Sequence, residues 1–205
     1  MKLDKSVIID AALDLLNEVG IDALSTRALA QKLGVQQPAL YWHFKNKRAL
    51  LDALNAAIQA RHDTFAPLPE ETWQSFFRRN MVTFRQALLS VRDGARLHAG
   101  TEAEPDHVEQ IEALMAFMVK QKIEPADAMG LSIATSRYVV GCVLEEQSEP
   151  PSPEQIAALD ARAQAFPHVA AALASYRNNS PEAHFLTGLD LLIAGFEARH
   201  SANHD

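Results

Sequence analysis

A cluster of basic side chains lies in the part of the sequence from Leu24 to Leu51, which contains no Asp or Glu. The basic residues are Arg27, Lys32, Lys45, Lys47 and Arg48. The whole chain is acidic, with a formal net charge of -7, so this window differs from its surroundings. A polyanion-binding face requires such a local excess of positive charge. The window therefore predicts a surface that contacts nucleic acid.

Four residues of this window have side chains suited to the edges of DNA bases. A glutamine such as Gln37 can bond both N6 and N7 of adenine, and an arginine such as Arg27 can bond O6 and N7 of guanine. Pro38 and Ala39 are small and apolar, which suits contact with a thymine methyl group. Three further side chains can reach phosphates and fix the register: Tyr41, His43 and Lys47.

Two short helices must position these side chains. Ser25 is a suitable N-cap for the first helix, and Gly34 ends it, because glycine adopts the left-handed conformation without strain. A second helix starts near Gln36, with Pro38 in its first turn, where the missing N–H has no helical partner. Asn46 caps the next helix, so the pattern is that of a helix-turn-helix. A purely structural helical hairpin with an exposed basic face is the alternative.

The segment GVQQPALYWHFKNKRALLDAL resembles the recognition helix and the following linker helix of the tetracycline-repressor family. The preceding LDKSVIIDAALDLLNEVGIDALSTRALAQKL continues the resemblance almost to the N-terminus. The resemblance implies that these residues contact a double-stranded operator: Thr26, Arg27, Gln37, Pro38, Ala39, Tyr41, Trp42, His43 and Lys47. Ala39 stands where the best-known members have threonine, so one polar contact to DNA is expected to be missing.

The charge of the chain is divided unevenly along its length. Residues 1–60 carry a net charge of +1, whereas the remainder carries -8. The N-terminal unit can therefore approach DNA, and the C-terminal part is repelled from it. A single cysteine, an N-terminus that carries acids and the absence of a sufficiently long apolar run predict a soluble, cytoplasmic protein without a membrane segment.

The remaining sequence shows helical periodicity and no alternating strand pattern, so the predicted fold class is all-α. We expect a DNA-binding domain in residues 1–60, built from three helices and a linker helix, and a ligand-binding and dimerisation domain in residues 61–205. The first helix is predicted from Lys5 to Val19, ending at Gly20, and the linker helix from Lys47 to about His62. Further helices are predicted at about 73–91, 105–122, 125–147, 153–166 and 181–200, with a segment at 169–176. The stretch RDGARLHAGTEAEP is predicted to be irregular.

Two predicted helices are too apolar for ordinary surface helices. Ala128–Leu144 contains one charge, and Phe185–Phe196 contains only Asp190. Several glycines in them allow helix backbones to approach closely. Burial within the monomer is one explanation, but the resemblance implies that both helices pair with their copies in a homodimer.

The resemblance also implies a small-molecule effector, namely a complex of magnesium with tetracycline. The implied ligand-binding residues are Asp63, Asn80, Phe84, His98, Thr101, Leu114 and Glu145. Of these, the implied contacts with the metal and its water shell come from His98, Thr101 and, across the dimer, Glu145. An imidazole is not a usual magnesium ligand, because this ion prefers hard oxygens. Mg²⁺ is therefore expected only as a complex with the effector, and DNA binding should require no cofactor.

Several positions depart from the family pattern of drug contacts. Asp63 and Arg137 each stand where a histidine is expected, and Leu114 replaces a glutamine. Glu102 and Ala103 stand in place of Arg-Pro. Losing a hydrogen-bond partner costs about 1–3 kcal/mol when the opposing polar group stays buried. A regulator of the same fold that senses a different small molecule is therefore the alternative.

An all-helical metalloenzyme is the rival class of protein. Two E-x-x-H spacings exist, at Glu104–His107 and Glu197–His200, and a di-metal bundle uses two such pairs. Such a site also requires further carboxylates in the middle of helices, whereas these pairs lie at predicted helix ends. Cys142 lies in an apolar run with no adjacent base, and no motif of a hydrolase or nucleotide-binding enzyme is present. The sequence therefore predicts that the protein is not an enzyme.

Overall fold

The structure is a computed structural model that describes residues 3–61, 66–100 and 108–202. Across these ranges the chain forms helices and no strand, which confirms the all-α prediction. The helices are α1 (Lys5–Ala23), α2 (Thr26–Leu33), α3 (Pro38–Tyr41), α4 (Lys47–Ala60), α5 (Trp73–Leu89), α6 (Gly94–Ala99), α7 (Val108–Lys120), α8 (Pro125–Glu146), α9 (Pro153–Ala163), α10 (Pro167–Arg177) and α11 (Pro181–Ala202).

Side-chain caps fix the start of the N-terminal helices. The backbone N–H of Val7 donates to Asp4 at 3.0 Å, that of Ala28 to Ser25 at 3.1 Å, and that of Ala49 to Asn46 at 2.8 Å. Each bond satisfies a donor that has no partner within its own helix, so the caps set where α1, α2 and α4 begin.

The turn after α2 is closed by Gly34, which has the left-handed backbone angles φ 67° and ψ 29°. The N–H of Gly34 donates to the carbonyl of Gln31, and the N–H of Val35 donates to the carbonyl of Ala30. This pair of bonds is a Schellman motif. It confirms the predicted glycine turn between the two helices of the helix-turn-helix.

The hydrophobic core of the N-terminal unit is formed by all four of its helices. Its buried members are Ile8, Ala12, Leu13, Leu15, Leu16, Leu24, Leu29, Ala30, Leu40, Phe44, Leu50, Leu54 and Ile58. Ala87, Val91 and Leu97, from α5 and α6, belong to the same cluster. The N-terminal unit therefore shares its core with the beginning of the C-terminal body. This shared core includes residues from both sides of the domain boundary predicted at residue 60.

The segment predicted to be irregular contains the short helix α6. Asp93 turns the chain with φ 58°, and Gly94 follows at a point of close backbone approach. A Cβ on Gly94 would lie 2.0 Å from the carbonyl oxygen of Leu88. Ala95 and Leu97 are buried, so packing stabilises a helix whose six residues are too few to show a clear period. The prediction of an irregular structure was therefore wrong for residues 94–99.

Helices α5, α7, α8 and α11 enclose a second core. Its fully buried residues include Phe77, Leu88, Met118, Val139 and Phe185. Gln147, just after α8, connects three elements of this body. Its amide donates to the carbonyl of Val91 at 2.8 Å, and its oxygen accepts from the N–H of Ala95 at 3.2 Å. The end of α5, the start of α6 and the end of α8 are thus joined by one side chain.

Within the described ranges, no helix combines the length and apolarity needed to cross a membrane.

Candidate nucleic-acid interface and effector site

The residues predicted to read DNA lie on the surface of α2, α3 and the segments beside them. Trp42 is 89% exposed and Tyr41 is 47% exposed, although both are large aromatic side chains. Arg27, Pro38 and Lys47 are also exposed, and two others are half-buried: Ala39 and His43. Leu40 and Phe44 face the core instead. The short helix α3 therefore has one side anchored in the core and the other open to solvent.

Hydrogen bonds connect three of the predicted operator residues to one another. The Gln37 amide nitrogen donates to the Thr26 hydroxyl at 2.8 Å and to the Tyr41 hydroxyl at 3.3 Å. These bonds hold the Gln37 side chain across the start of α2 and α3. In this arrangement both amide hydrogens are engaged, so a bidentate contact with adenine requires the side chain to release one of them.

The basic residues of the window differ in their pairing. Lys32 forms an ion pair with Glu18 at 2.6 Å, and Arg48 pairs with Asp52 at 3.1 Å. Arg27, Lys45 and Lys47 are exposed and have no ion pair to any of the residues that the structure describes. These three cations are therefore available to a phosphate or to a base edge.

A second candidate site surrounds His98, the side chain from α6 that the resemblance assigns to an effector-bound metal. The ring of His98 packs edge-on against Phe84 of α5, with 5.0 Å between ring centroids. Its Nδ1 lies 3.2 Å from Oδ1 of Asn55, on α4. Burial lowers the pKa of His98 below its ordinary value of 6.5. The imidazole is therefore neutral at neutral pH, which is the form that binds metals.

The structure brings only part of the predicted effector set together. Asn80 lies one turn before Phe84 on α5, is buried, and donates to the carbonyl of Phe76 at 3.0 Å. Leu114 is half-buried on α7, and Glu145 is exposed near the end of α8. Neither has a described contact with His98. Four residues of interest lie outside the described residues: Asp63, Thr101, Glu102 and Ala103.

The donor set around His98 fits a metal that arrives already bound to a chelating ligand. Among the residues that the structure describes, no group of three or more His, Cys, Asp or Glu side chains could hold a metal ion. A neutral imidazole whose second nitrogen is hydrogen-bonded can still supply one ligand. A chelating effector would have to supply the hard oxygens that magnesium prefers.

A polar joint links α6 to the end of α1. The N–H of Ile21 donates to Asp93 at 2.9 Å, and Arg92 donates to the Glu18 carbonyl at 3.2 Å. Arg96 forms an ion pair with Asp22 at 2.8 Å, and the hydrogen bond from Arg96 lowers the pKa of that carboxyl. The helix that carries His98 is therefore bonded directly to the N-terminal unit.

The outer faces of α8 and α11 expose glycines together with large apolar side chains. A Cβ added to Gly130, Gly141 or Gly195 would meet no atom within 4 Å, and Leu191 is 69% exposed. Arg137 is exposed on α8, four residues before Gly141, and therefore lies on this same face. Burial within the monomer, the alternative considered from the sequence, accounts for only the inner faces of these helices.

The residues considered for an enzyme are engaged in other contacts or lie outside the described ranges. Glu197 accepts a hydrogen bond from Gln74, and His200 stacks on Phe196. Cys142 is half-buried on α8. Glu104 and His107 are not among the residues that the structure describes. No described contact assembles these groups into a reactive site.

An exposed helix-turn-helix joined to a second helical body is the architecture of a helix-turn-helix regulator. Residues 8–54 match the family described as bacterial regulatory proteins, tetR family. Residues 66–200 match the tetracyclin repressor-like C-terminal domain. The chain belongs to the tetR family of bacterial regulatory proteins.

Similarity to individual relatives extends over nearly the whole chain. The tetracycline repressor protein class D of Escherichia coli is 45% identical over 98% of this chain and 92% of the relative. The solved structure of TetR from Acinetobacter baumannii AYE is 46% identical, covers 96% of this chain and 98% of its own, and has a TM-score of 0.79. TetR(class A) in complex with 5a,6-anhydrotetracycline and magnesium is 40% identical over 96% of this chain and 99% of its own, with a TM-score of 0.74.

Two residues that connect the helices around His98 were not identified from the sequence, namely Asn55 and Gln147. Asn55 interrupts the apolar buried face of α4, and this polar residue among apolar ones could have indicated a functional side chain. Gln147 follows a helix in a polar segment, and nothing in its local sequence indicates that it connects three elements.

Proposed function

We propose that this chain is a transcriptional repressor that binds a palindromic double-stranded operator as a homodimer and is released by a small molecule, the magnesium complex of a tetracycline. Its similarity to tetracycline repressors over almost its whole length carries this proposal. The fold and the exposed helix-turn-helix are consistent with it. We further propose that the protein acts in the cytoplasm, needs no cofactor for DNA binding and has no enzymatic activity.

The exposed face of α2 and α3 supports operator binding. Gln37 and Arg27 supply donors and acceptors for base edges, whereas Lys47 supplies a charge for phosphate. The acidic remainder of the chain is repelled from DNA, which favours approach through this face. Two such heads bind successive major grooves when their recognition helices are roughly 34–36 Å apart.

The apolar outer face of α8 and α11 supports a homodimer. Glycines without neighbours at their Cβ positions allow a second copy to approach closely, and exposed Leu191 has an apolar surface to bury. A two-fold axis would use the same patch on both protomers and would present two reading heads to a palindromic operator.

Neutral, half-buried His98 and its neighbours on α5 support an effector site in the C-terminal body. In the proposed complex, His98 and Thr101 contact the magnesium and its water shell, and Glu145 reaches it from the other protomer. Asn80 and Phe84 hold the drug, with Leu114 and Asp63 beside it. TetR(class A) has been solved with 5a,6-anhydrotetracycline and magnesium, which supports this choice of ligand class.

The polar joint between α6 and α1 supports communication between the two sites. An effector releases DNA only if it binds the conformation with the wrong head spacing more tightly than the operator-bound one. Asp93 and Arg96 bond to the end of α1. A displacement of α6 would therefore move or break these bonds and shift the N-terminal unit.

The departures at drug-side positions favour one second candidate, a repressor of the same fold with another effector. Leu114 is an apolar, half-buried side chain where a hydrogen-bonding glutamine is expected. Loss of that bond weakens binding by about 1–3 kcal/mol if the drug's polar group stays buried. A ligand with an apolar group at this point would not lose this contribution.

A mobility-shift assay on the DNA upstream of the gene tests the proposal. The protein is titrated with tetracycline and magnesium together, with each alone, and with both plus a chelator. Release only when both are present supports the full proposal, and the His98→Ala variant should then require more drug for release. Specific binding that tetracycline never reverses would exclude this effector. The absence of specific binding to any palindrome would contradict the repressor function itself.

A further inference from the structure

The buried face of α4 carries one polar side chain among apolar ones. Leu50, Leu54 and Ile58 on this face are at most 2% exposed, and Asn55 between them is 8% exposed. An amide buried at such a position costs free energy unless its oxygen and nitrogen form hydrogen bonds. Leucine or alanine would pack there without that requirement. The hydrogen-bond partners of this amide therefore indicate why asparagine is present at this position.

The Asn55 side chain forms a hydrogen bond with His98, the candidate effector histidine. Its Oδ1 lies 3.2 Å from Nδ1 of His98, and that ring also packs against Phe84. An amide oxygen only accepts hydrogen bonds, so the ring nitrogen facing it must carry the proton. In a neutral imidazole with a proton on Nδ1, the lone pair lies on Nε2. The amide thus selects which nitrogen of His98 can act as a ligand.

We propose that Asn55 is a positioning residue, which holds His98 in the Nδ1–H tautomer and so directs the Nε2 lone pair to the effector-bound metal. This inference rests on the proposed function, because His98 must be a ligand for the tautomer to affect the effector. It adds Asn55 to the effector site. Asn55 lies on α4, the helix that begins at Lys47, one of the predicted operator residues. Outer hydrogen-bond partners of metal ligands fix ring orientation in the same way.

Two nearly isosteric variants separate the tautomer from the packing. As an ionised carboxylate, Asn55→Asp keeps an accepting oxygen at Oδ1. Asn55→Leu keeps the number of side-chain heavy atoms and removes the acceptor. The ¹⁵N NMR signals of His98 are recorded without effector in histidine-labelled protein, and His98→Gln identifies those signals. Wild type and Asn55→Asp should show a protonated Nδ1. Asn55→Leu should show a mixture of tautomers.

The effector response gives the second measurement. Asn55→Leu should require about 10–100-fold more magnesium-tetracycline for operator release, which is the usual effect of losing an outer partner of a metal ligand. Asn178→Leu, the same exchange at the exposed end of α10, is the matched control and should respond like wild type. Operator binding without effector verifies that each variant is folded.

The outcomes separate this inference from the proposed function. If wild type is not released by magnesium-tetracycline, the proposed effector is wrong, and the NMR spectra alone decide the tautomer. If wild type is released, and Asn55→Leu retains a fully protonated Nδ1 with the wild-type drug requirement, then Asn55 does not position His98. A wild-type spectrum with the proton on Nε2 would overturn the inference directly.

Discussion

Gln37 and Lys47 both lie on the DNA-facing surface, but their surroundings suit them to different contacts. Gln37 is held by the hydroxyls of Thr26 and Tyr41, so its amide has a defined position on the exposed face of α2 and α3 before it exchanges one of these bonds for a base. Lys47 is exposed and unpaired among the described residues, so it can follow a phosphate. A positioned amide gives base discrimination, whereas a mobile charge gives general affinity.

The first prediction compares alanine substitutions at these two positions. Gln37→Ala should reduce discrimination at one operator base by about 1–3 kcal/mol, and Lys47→Ala should weaken binding to all sequences about equally and lower the salt dependence. Binding to a set of single-base operator variants at several salt concentrations measures both effects. Equal losses at every base for Gln37→Ala would contradict its reading role.

The second prediction concerns stability in acid at the entry to α5. Two hydrogen bonds from the Arg79 guanidinium, at 2.8 and 2.9 Å, hold the pKa of Glu71 below its ordinary value of 4.5. The carboxylate therefore stabilises the fold above pH 4.5, and this contribution is lost as the pH falls through the lower, folded-state pKa. Thermal unfolding of wild type and Glu71→Gln should differ most near neutral pH and converge in acid. A difference that does not depend on pH would contradict the assignment.

At the scale of elements, glycine is required at two positions for different structural reasons. Gly34 adopts φ 67°, but a Cβ there would meet no atom within 4 Å. Gly94 lies against the backbone of Leu88, with which a Cβ would collide. The first glycine serves backbone conformation, and the second serves close packing between the end of α5 and the start of α6.

The third prediction uses alanine at both glycines. Gly34→Ala should lower the free energy of unfolding by about 1–2 kcal/mol, the usual cost of a left-handed alanine. Gly94→Ala should cost more, because the backbone carbonyl of Leu88 has to move. Urea unfolding of the wild type and of both variants measures the two values. A smaller loss for Gly94→Ala than for Gly34→Ala would contradict this order.

Elements whose ends are marked by local chemistry could be predicted from the sequence. Ser25, Gly34 and Asn46 each act through a bond to a residue at most four positions away, so their effect is visible in the local sequence. α6 could not be predicted, because it depends on Gly94 packing against Leu88 and on buried Leu97. Asn55 was missed for the same reason, since its partner His98 is 43 residues away.

At the scale of the whole molecule, the described chain leaves large apolar side chains exposed on α8 and α11. Leu191 is the most exposed of these, at 69%. If this face were buried against a second copy, it would contribute free energy of association in proportion to its apolar area. The exposed apolar residues of the monomer are thus the strongest structural support for dimer formation.

The fourth prediction places a charge on this face. Leu191→Glu should give a folded monomer with much weaker operator binding, because an unpaired carboxylate is costly to bury in an interface but is solvated in the monomer. Light scattering coupled to size exclusion measures the mass, and circular dichroism measures the helix content. Val19→Glu, on an exposed position of α1 away from this face, should leave the mass unchanged. A dimer of Leu191→Glu with wild-type affinity would exclude this face as the interface.

The open apolar face of α8 and α11 also has a consequence for the response to gene dosage. If protomers associate through this face before they bind a palindrome, the concentration of the binding species rises with the square of the protomer concentration in the dilute regime. Halving the supply of protein would then lower operator occupancy by a factor of about four where occupancy is low. Small residues on two helices would in this way make repression depend steeply on how much protein the cell contains.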